Sequence, residues 1–327
     1  MKKILIDNRW SGTGGIGTFA HETNKINCYD NAYFTGKPYS PLDAIRLTLK
    51  TAFTRNKVFF FPGYIPPLYS GSPYVITIHD LNHLDRKENS SLLKRIFYRL
   101  VIMRGCKKAK YIFTVSEFSK TRIIDWAGVR EDKVINVGNG VSDAFSPEGD
   151  EMGYPFEYIL CVSNRKAHKN EIGTLEAFKK AELPGSLKLV FTGKENEFVK
   201  RKIKELGIED KVIFTGFIEQ EELPKIYRGA KALIFVSFYE GFGLPVLEAM
   251  ASGVPVITSS TSSLGEIAGG AAYLVNPEDV NEISKAIYDI NNDERLRNDL
   301  INKGLLQSKN YSWEKTAYKI DSHLSSI

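Results

Sequence analysis

Short, continuously apolar runs alternate with longer segments of helical periodicity along most of the chain. The runs occupy residues 3–6, 58–61, 74–78, 111–115 and 134–137 in the first half, and 158–162, 188–192, 212–215, 232–236 and 256–258 in the second. Each is rich in β-branched or aromatic residues and too short for a helix, the pattern of parallel strands covered by helices on both faces. Helical spacing marks residues 91–109, 116–127, 171–181, 195–206, 224–229, 245–252, 279–291 and 294–308, and a last helix over 312–324 follows a Ser312 cap. This rhythm predicts an α/β protein of doubly wound parallel sheets. It breaks once, at SPEGDEMGYPFE (146–157), where Pro, Gly and acids replace the apolar runs. Two Rossmann-like domains are therefore expected, 1–150 and 151–310, followed by a closing helix in 311–327.

Composition adds exclusions. The 327 residues are 43% hydrophobic and 25% charged, enough for a large core. No apolar run approaches the ~20 residues of a bilayer-spanning helix. The opening MKKILID is cut by Asp7 after three apolar residues, too early for a secretory leader, and reads as a first strand of a cytoplasmic protein. Cys28, Cys106 and Cys161 are odd in number and far apart, so neither disulfides nor a structural zinc site is expected. Charge is uneven: residues 1–150 hold 22 Lys and Arg against 14 Asp and Glu, and the remainder 22 against 25. The basic half suits phosphates or an anionic surface, and no nucleic-acid recognition motif accompanies it.

The richest chemistry lies at residues 238–250, FYEGFGLPVLEAM, between the strand at 232–236 and a helix that Pro245 opens in its first turn. The helix N-terminus there offers free amides and the positive dipole end to a phosphate, and Gly241 and Gly243 let a ligand approach the backbone. Glu240 and Glu248 stand at the two ends of this loop, able to accept hydrogen bonds from sugar hydroxyls. A basic loop, SNRKAHKN (163–170), follows the strand at 158–162; Arg there offers a fork and Lys a point charge for a diphosphate.

These motifs together resemble glycosyltransferase family 4, retaining enzymes of GT-B fold: two glutamates separated by seven residues, the GFGLP loop and the trailing ASGVPVI strand. The resemblance covers nearly the whole chain and implies two Rossmann-like domains with the reaction cleft between them. It implies that Glu240 holds hydroxyls of the donor sugar, Glu248 the nucleotide ribose, and the backbone of Phe242, Gly243 and Leu244 the sugar and phosphates. Asn164, Arg165 and Lys169 would lie along the diphosphate, Lys166 being a competitor to Lys169. After Gly216, Phe217 and Ile218 would receive the nucleobase; as apolar residues they fit a core equally well. The loop GTGGIGTFA (12–20) resembles the family's GGIG turn, placing Gly15, Ile16 and Gly17 near the donor phosphates and the acceptor. The segment HDLNHL (79–84) is similar to HDLxHL of family members that transfer mannose or rhamnose, giving His79 and Asp80 roles toward donor sugar or acceptor. A zinc reading of His79, Asp80 and His83 has no fourth ligand cluster behind it. The closing helix resembles the segment that crosses back to the first domain and leaves a hinge.

The resemblance implies a hexosyltransferase that needs no metal or cofactor, moving mannose or rhamnose from a nucleotide diphospho-sugar to a saccharide acceptor, borne on a lipid diphosphate, in bacterial O-antigen or surface polysaccharide synthesis. Other sugar nucleotides such as UDP-glucose, UDP-galactose or UDP-N-acetyl sugars, and a non-catalytic sugar-nucleotide-binding protein, are the alternatives. Residues 92–110 carry seven Lys or Arg among apolar residues at helical spacing. Two readings stand for them: core packing of the apolar face, or peripheral contact with the anionic inner face of the plasma membrane.

Overall fold

The structure, a computed structural model, describes residues 2–12, 14–86, 88 and 90–327. Its strands form two six-stranded sheets, each parallel throughout. The first contains β1 (Lys3–Ile6), β2 (Asp30–Asn31), β3 (Lys57–Phe61), β4 (Tyr74–Thr77), β5 (Tyr111–Thr114) and β6 (Val134–Asn136), in the order β2-β1-β3-β4-β5-β6. The second contains β7 (Tyr158–Cys161), β8 (Lys188–Phe191), β9 (Val212–Phe214), β10 (Ala232–Phe235), β11 (Val256–Ser259) and β12 (Tyr273–Val275), in the order β12-β11-β10-β7-β8-β9. In both, the order reverses beside the sheet's first strand. The crevice outside the carboxyl ends of the strands at such a reversal is where open α/β sheets place their ligands.

Central strands are apolar on both faces because helices cover both. Phe59, Phe60 and Phe61 are consecutive and all buried, as are Ala232 to Phe235. One core gathers Phe59, Ile76, Ile112 and Ile123; the other gathers Leu175, Leu189, Ile234 and Ile287. The ten expected strands appear within a residue or so of their predicted ends. Two more, β2 and β12, were not expected: β2 is two polar residues whose pairing with Leu5 and Ile6 leaves no hydrophobic signature, and β12 is three residues long. Helices Asp43–Thr51 and Ser262–Ala268 were also unforeseen, the first because its buried set is small, the second because Ser and Gly make three of its seven residues.

The chain divides into two compact units, residues 1–140 with 311–327, and residues 141–310. The division falls ten residues before the expected 150/151 boundary, because the acidic Pro-Gly stretch is packed rather than loose. Phe145 stands edge-on to Tyr227 at 5.5 Å, and Arg228 donates to the carbonyls of Ala144, Ser146 and Asp150. The last helix, Trp313–Ser325, is part of the first unit. Ala317 and Ile320 are fully buried, Asn27 donates to Ala317 O at 3.0 Å and Tyr29 to Asp321 at 2.9 Å.

Helix Gly14–Asn27 begins the first unit's carboxyl-edge loops. A Cβ at Gly17 would stand 2.7 Å from Trp10 O and 2.9 Å from Gly12 N, backbone atoms that cannot step aside. Gly17→Ala is accordingly expected to destabilise the protein by roughly 1–3 kcal/mol, read as a lower denaturation midpoint. A wild-type midpoint would show that the turn relaxes around a methyl group.

Candidate active site

Two loops meet at the carboxyl edge of the second sheet, and a neighbouring helix adds a third contribution. The first is the loop from β10 into helix Leu244–Ala251. Pro245 sits in its first turn and Gly243 caps it at φ +117°, where a Cβ would meet Leu264 Cδ2 at 2.6 Å. The loop is pinned from outside: Ser263 Oγ donates to the carbonyls of Glu240 (2.9 Å) and Phe242 (2.8 Å), and Glu240 N donates to Ser262 Oγ (3.2 Å). Held in this way, the Gly-rich turn aims the helix N-terminus out of the sheet edge, the arrangement that binds anions.

The second is the 163–170 loop after β7, tied to the first where Phe238 N donates to His168 O at 2.8 Å. Arg165 and Asn170 both lie in the left-handed region, φ +62° and +53°, an unfavourable conformation that side-chain anchorage maintains. Arg165 Nη1 pairs with Glu171 at 2.5 Å, Nε donates to Lys194 O at 2.9 Å, Nη2 donates to Thr192 O, and the guanidinium lies 5.2 and 5.1 Å from the rings of Phe191 and Phe214. Glu171 also accepts from Ser163 Oγ. Arg165 is thus a fixed positive charge with two of its five N–H groups left for a ligand.

Lys169 is aimed differently. Its ammonium pairs with Glu240 at 2.7 Å and lies 4.7 Å from the ring of Phe235, and the two side chains are only 14% and 15% exposed. Lys166 and Asn164 are exposed. Of the two competing lysines, Lys169 is the one that meets the glutamate of the Gly-rich loop.

The third element is helix Leu223–Arg228, which brings in a residue sequence reasoning missed. Buried Tyr227 donates its hydroxyl to Glu248 Oε2 at 2.6 Å. Burial pushes the Glu248 carboxyl up to about 7, although the Tyr227 hydroxyl favours the charged form. Burial, reinforced by Glu248, pushes the tyrosine well above its ordinary value, so it stays a donor. Nothing in the spacing of Tyr227 marks it out. Glu171 was equally invisible, an apparent helix-start acid that proves to be the counter-ion of Arg165.

Beyond β9, Phe217 is 80% exposed, which removes the core reading for it, and Ile218 is partly buried. Gly216 pairs with Gly193 in an isolated bridge.

The first unit gathers its own candidates at its sheet's carboxyl edge. His79 follows β4; its Nε2 lies 2.9 Å from Pro62 O, and Phe19 of helix Gly14–Asn27 stands edge-on to its ring at 5.0 Å. Since a carbonyl only accepts, Nε2 carries the hydrogen and Nδ1 keeps its lone pair. Burial lowers the imidazole to about 4, so His79 is neutral at physiological pH, an acceptor rather than an acid. Asp80 accepts from Asn82 N at 2.9 Å, and Ser119 Oγ donates to His79 O at 3.0 Å. Gly15 is exposed and Ile16 half-buried at the start of helix Gly14–Asn27, while Thr13 lies outside the described residues. Arg9, on the same edge, is consumed structurally: it binds Asp7 and Asp43, each at 2.7 Å, and the carbonyl of Thr35. Among the described residues no three His, Cys, Asp or Glu cluster as a metal site would need.

Two parallel α/β units, one carrying paired Lys and Glu beside an anion-accepting helix start and a second Glu one turn on, define a GT-B glycosyltransferase. Family models agree: "Glycosyltransferase Family 4" matches residues 41–145 and "Glycosyl transferases group 1" matches 154–307. The chain belongs to the family 4 glycosyltransferases. It is 29% identical over 266 residues to O-antigen chain mannosyltransferase B of Escherichia coli, covering 75% of this chain and 70% of that one. It is 30% identical to the serotype-specific mannosyltransferase WbdA of Escherichia coli over 65% of this chain, spanning only 28% of that longer protein. The fold is shared with sucrose-phosphate synthase from Thermosynechococcus elongatus, at a TM-score of 0.80 and 17% identity, over 100% and 99% of the two chains.

Proposed function

We propose that this glycosyltransferase moves mannose from a nucleotide diphospho-sugar to a saccharide acceptor carried on a lipid diphosphate, in bacterial surface polysaccharide synthesis, with retention at the anomeric carbon. The pair of Lys169 and Glu240 at 2.7 Å, set beside the N-terminus of helix Leu244–Ala251, carries this reading. The names of the two Escherichia coli relatives favour mannose over rhamnose or glucose.

In this reading the diphosphate lies against Lys169, the remaining N–H groups of Arg165 and the amides of the Gly-rich loop. Glu240 accepts from sugar hydroxyls and Glu248 from the ribose. The bond between the anomeric carbon and the diphosphate oxygen breaks, its electron pair leaving with the nucleoside diphosphate. The acceptor oxygen bonds to the same face of that carbon, and its proton passes to the departing phosphate oxygen. Fixed cations serve the leaving group's charge, so no divalent ion is assigned to the step.

A thermal-shift panel of GDP, UDP, dTDP and ADP, each alone and with mannose, rhamnose, glucose or N-acetyl sugars attached, tests the donor. One base is expected to raise the midpoint by several degrees, since a ligand of the folded form stabilises by mass action. Silence across the panel at millimolar ligand would overturn the reading. Transfer is expected to persist in chelator; activity lost there and regained with a divalent ion would refute metal independence.

A further inference from the structure

The first unit bears an apolar face that its own core leaves outside. Helix Asp43–Thr51 buries Ala44, Leu47 and Thr51 and turns Ile45 and Leu49 to solvent. With Leu42 before it and Phe53 after it, they recur at helical spacing; Leu49 is 74% exposed and Phe53 92%. Helix Leu92–Phe97 buries no residue at all and exposes Leu92, Leu93 and Ile96. It continues through a π-helical stretch, Tyr98–Ile102, in which Leu100 is also exposed.

The two helices belong to one face. Thr48 Oγ1 of the first helix accepts from Leu68 N at 2.8 Å, and Leu68 O accepts at 3.1 Å from Lys108 Nζ, at the end of helix Met103–Lys108, which continues the same helical run beyond Ile102. A cavity of about 530 Å³ is lined both by Tyr39 and Pro41, which lead into the first helix, and by Leu93, Ile96 and Leu100 of the second helical run.

Charge narrows the occupant. Residues 91–110 contain seven Lys or Arg and no acid; residues 42–57 contain Arg46, Lys50, Arg55 and Lys57 against Asp43 alone. Asp43 is buried and already neutralised by Arg9. A second copy of this face would bring like charges together. Protruding leucines and a phenylalanine within a cationic rim match a layer of acyl chains beneath anionic phosphates.

We propose that this face docks the protein on an anionic lipid bilayer, with Leu49, Phe53, Leu92 and Leu93 entering the acyl region and the Lys and Arg of both helices on headgroup phosphates. The inference deepens the proposed function, since a lipid-linked acceptor is presented at such a surface, but it rests on the side chains of this face alone. Cosedimentation of the full chain with phosphatidylcholine vesicles, with and without phosphatidylglycerol, tests it. Binding is expected only with phosphatidylglycerol and is expected to fall with salt. Each charge reversal in Arg99→Glu/Arg104→Glu should weaken it at least about fivefold, and Leu49→Ser/Phe53→Ser at least about tenfold, with thermal midpoints unchanged. No binding to phosphatidylglycerol vesicles, equal binding to phosphatidylcholine, or indifference to both variants would overturn the proposal. So would a soluble dimer that both variants dissociate, which would assign the face to a second copy. Nucleotide shifts measured on the same samples separate the two readings: shifts without vesicle binding remove the docking face alone, and vesicle binding without shifts removes the transferase reading alone.

Discussion

Glu248→Gln is expected to make this protein more stable above pH 7 and worse at holding its donor. A carboxyl raised from 4.5 to about 7 keeps its proton more tightly in the folded state than in the unfolded one. Its favourable contribution is therefore complete below pH 4.5 and disappears as pH rises through 7. Glutamine retains the oxygen that accepts from Tyr227 and removes the charge, so the gain at pH 8 is roughly 2 kcal/mol once solvent screening of this half-buried group is allowed for. A thermal melt at pH 5 and pH 8 reads it: the variant should gain at the higher pH and little at the lower. Nucleotide affinity should fall roughly 10- to 100-fold, the loss of charge-assisted hydrogen bonds to the ribose. Unchanged affinity by titration calorimetry would mean that Glu248 does not meet the nucleotide.

The second large effect is expected at Lys169. Lys169→Met removes the cation paired with the Gly-rich loop and leaves Glu240 partly buried without its counter-charge. Turnover, as kcat/KM, should drop roughly 100- to 1,000-fold, and stability by roughly 2 kcal/mol, less than for a fully buried pair. In Lys169→Met/Glu240→Gln the stray charge is gone, so stability should return while turnover does not. If the double variant recovered both, Lys169 would be a structural partner of Glu240 and not a phosphate ligand.

The repeating signals were legible. Ten strands stand out because each is a short apolar run, and the central ones, buried on both faces, cannot be written in polar residues. The Gly-rich loop was legible because its chemistry is local: a Pro in a first helical turn, glycines before it and two acids at fixed spacing. What stayed hidden was pairing across the fold. Tyr227 reaches Glu248 from another helix, Glu171 neutralises Arg165, and Ser262 with Ser263 anchors a loop some twenty residues away. Such partners are ordinary residues in ordinary local settings. β2 was hidden for a related reason, since two polar residues hydrogen-bonding to Leu5 and Ile6 carry no pattern of their own. The boundary was misplaced because Pro, Gly and acids signal a linker even where Arg228 and Tyr227 hold the backbone in place.

The last helix belongs with the first 140 residues, and this sets the order in which the molecule can be completed. During synthesis the earlier unit emerges first but lacks Trp313, Ala317, Ile320 and Leu324, which fill part of its surface. The segment 141–310 must be translated in between, about 10–30 s at the usual ribosomal pace. The second unit is thus the first whose chain is whole. The earlier one waits with an apolar seam uncovered until residues 311–327 have followed.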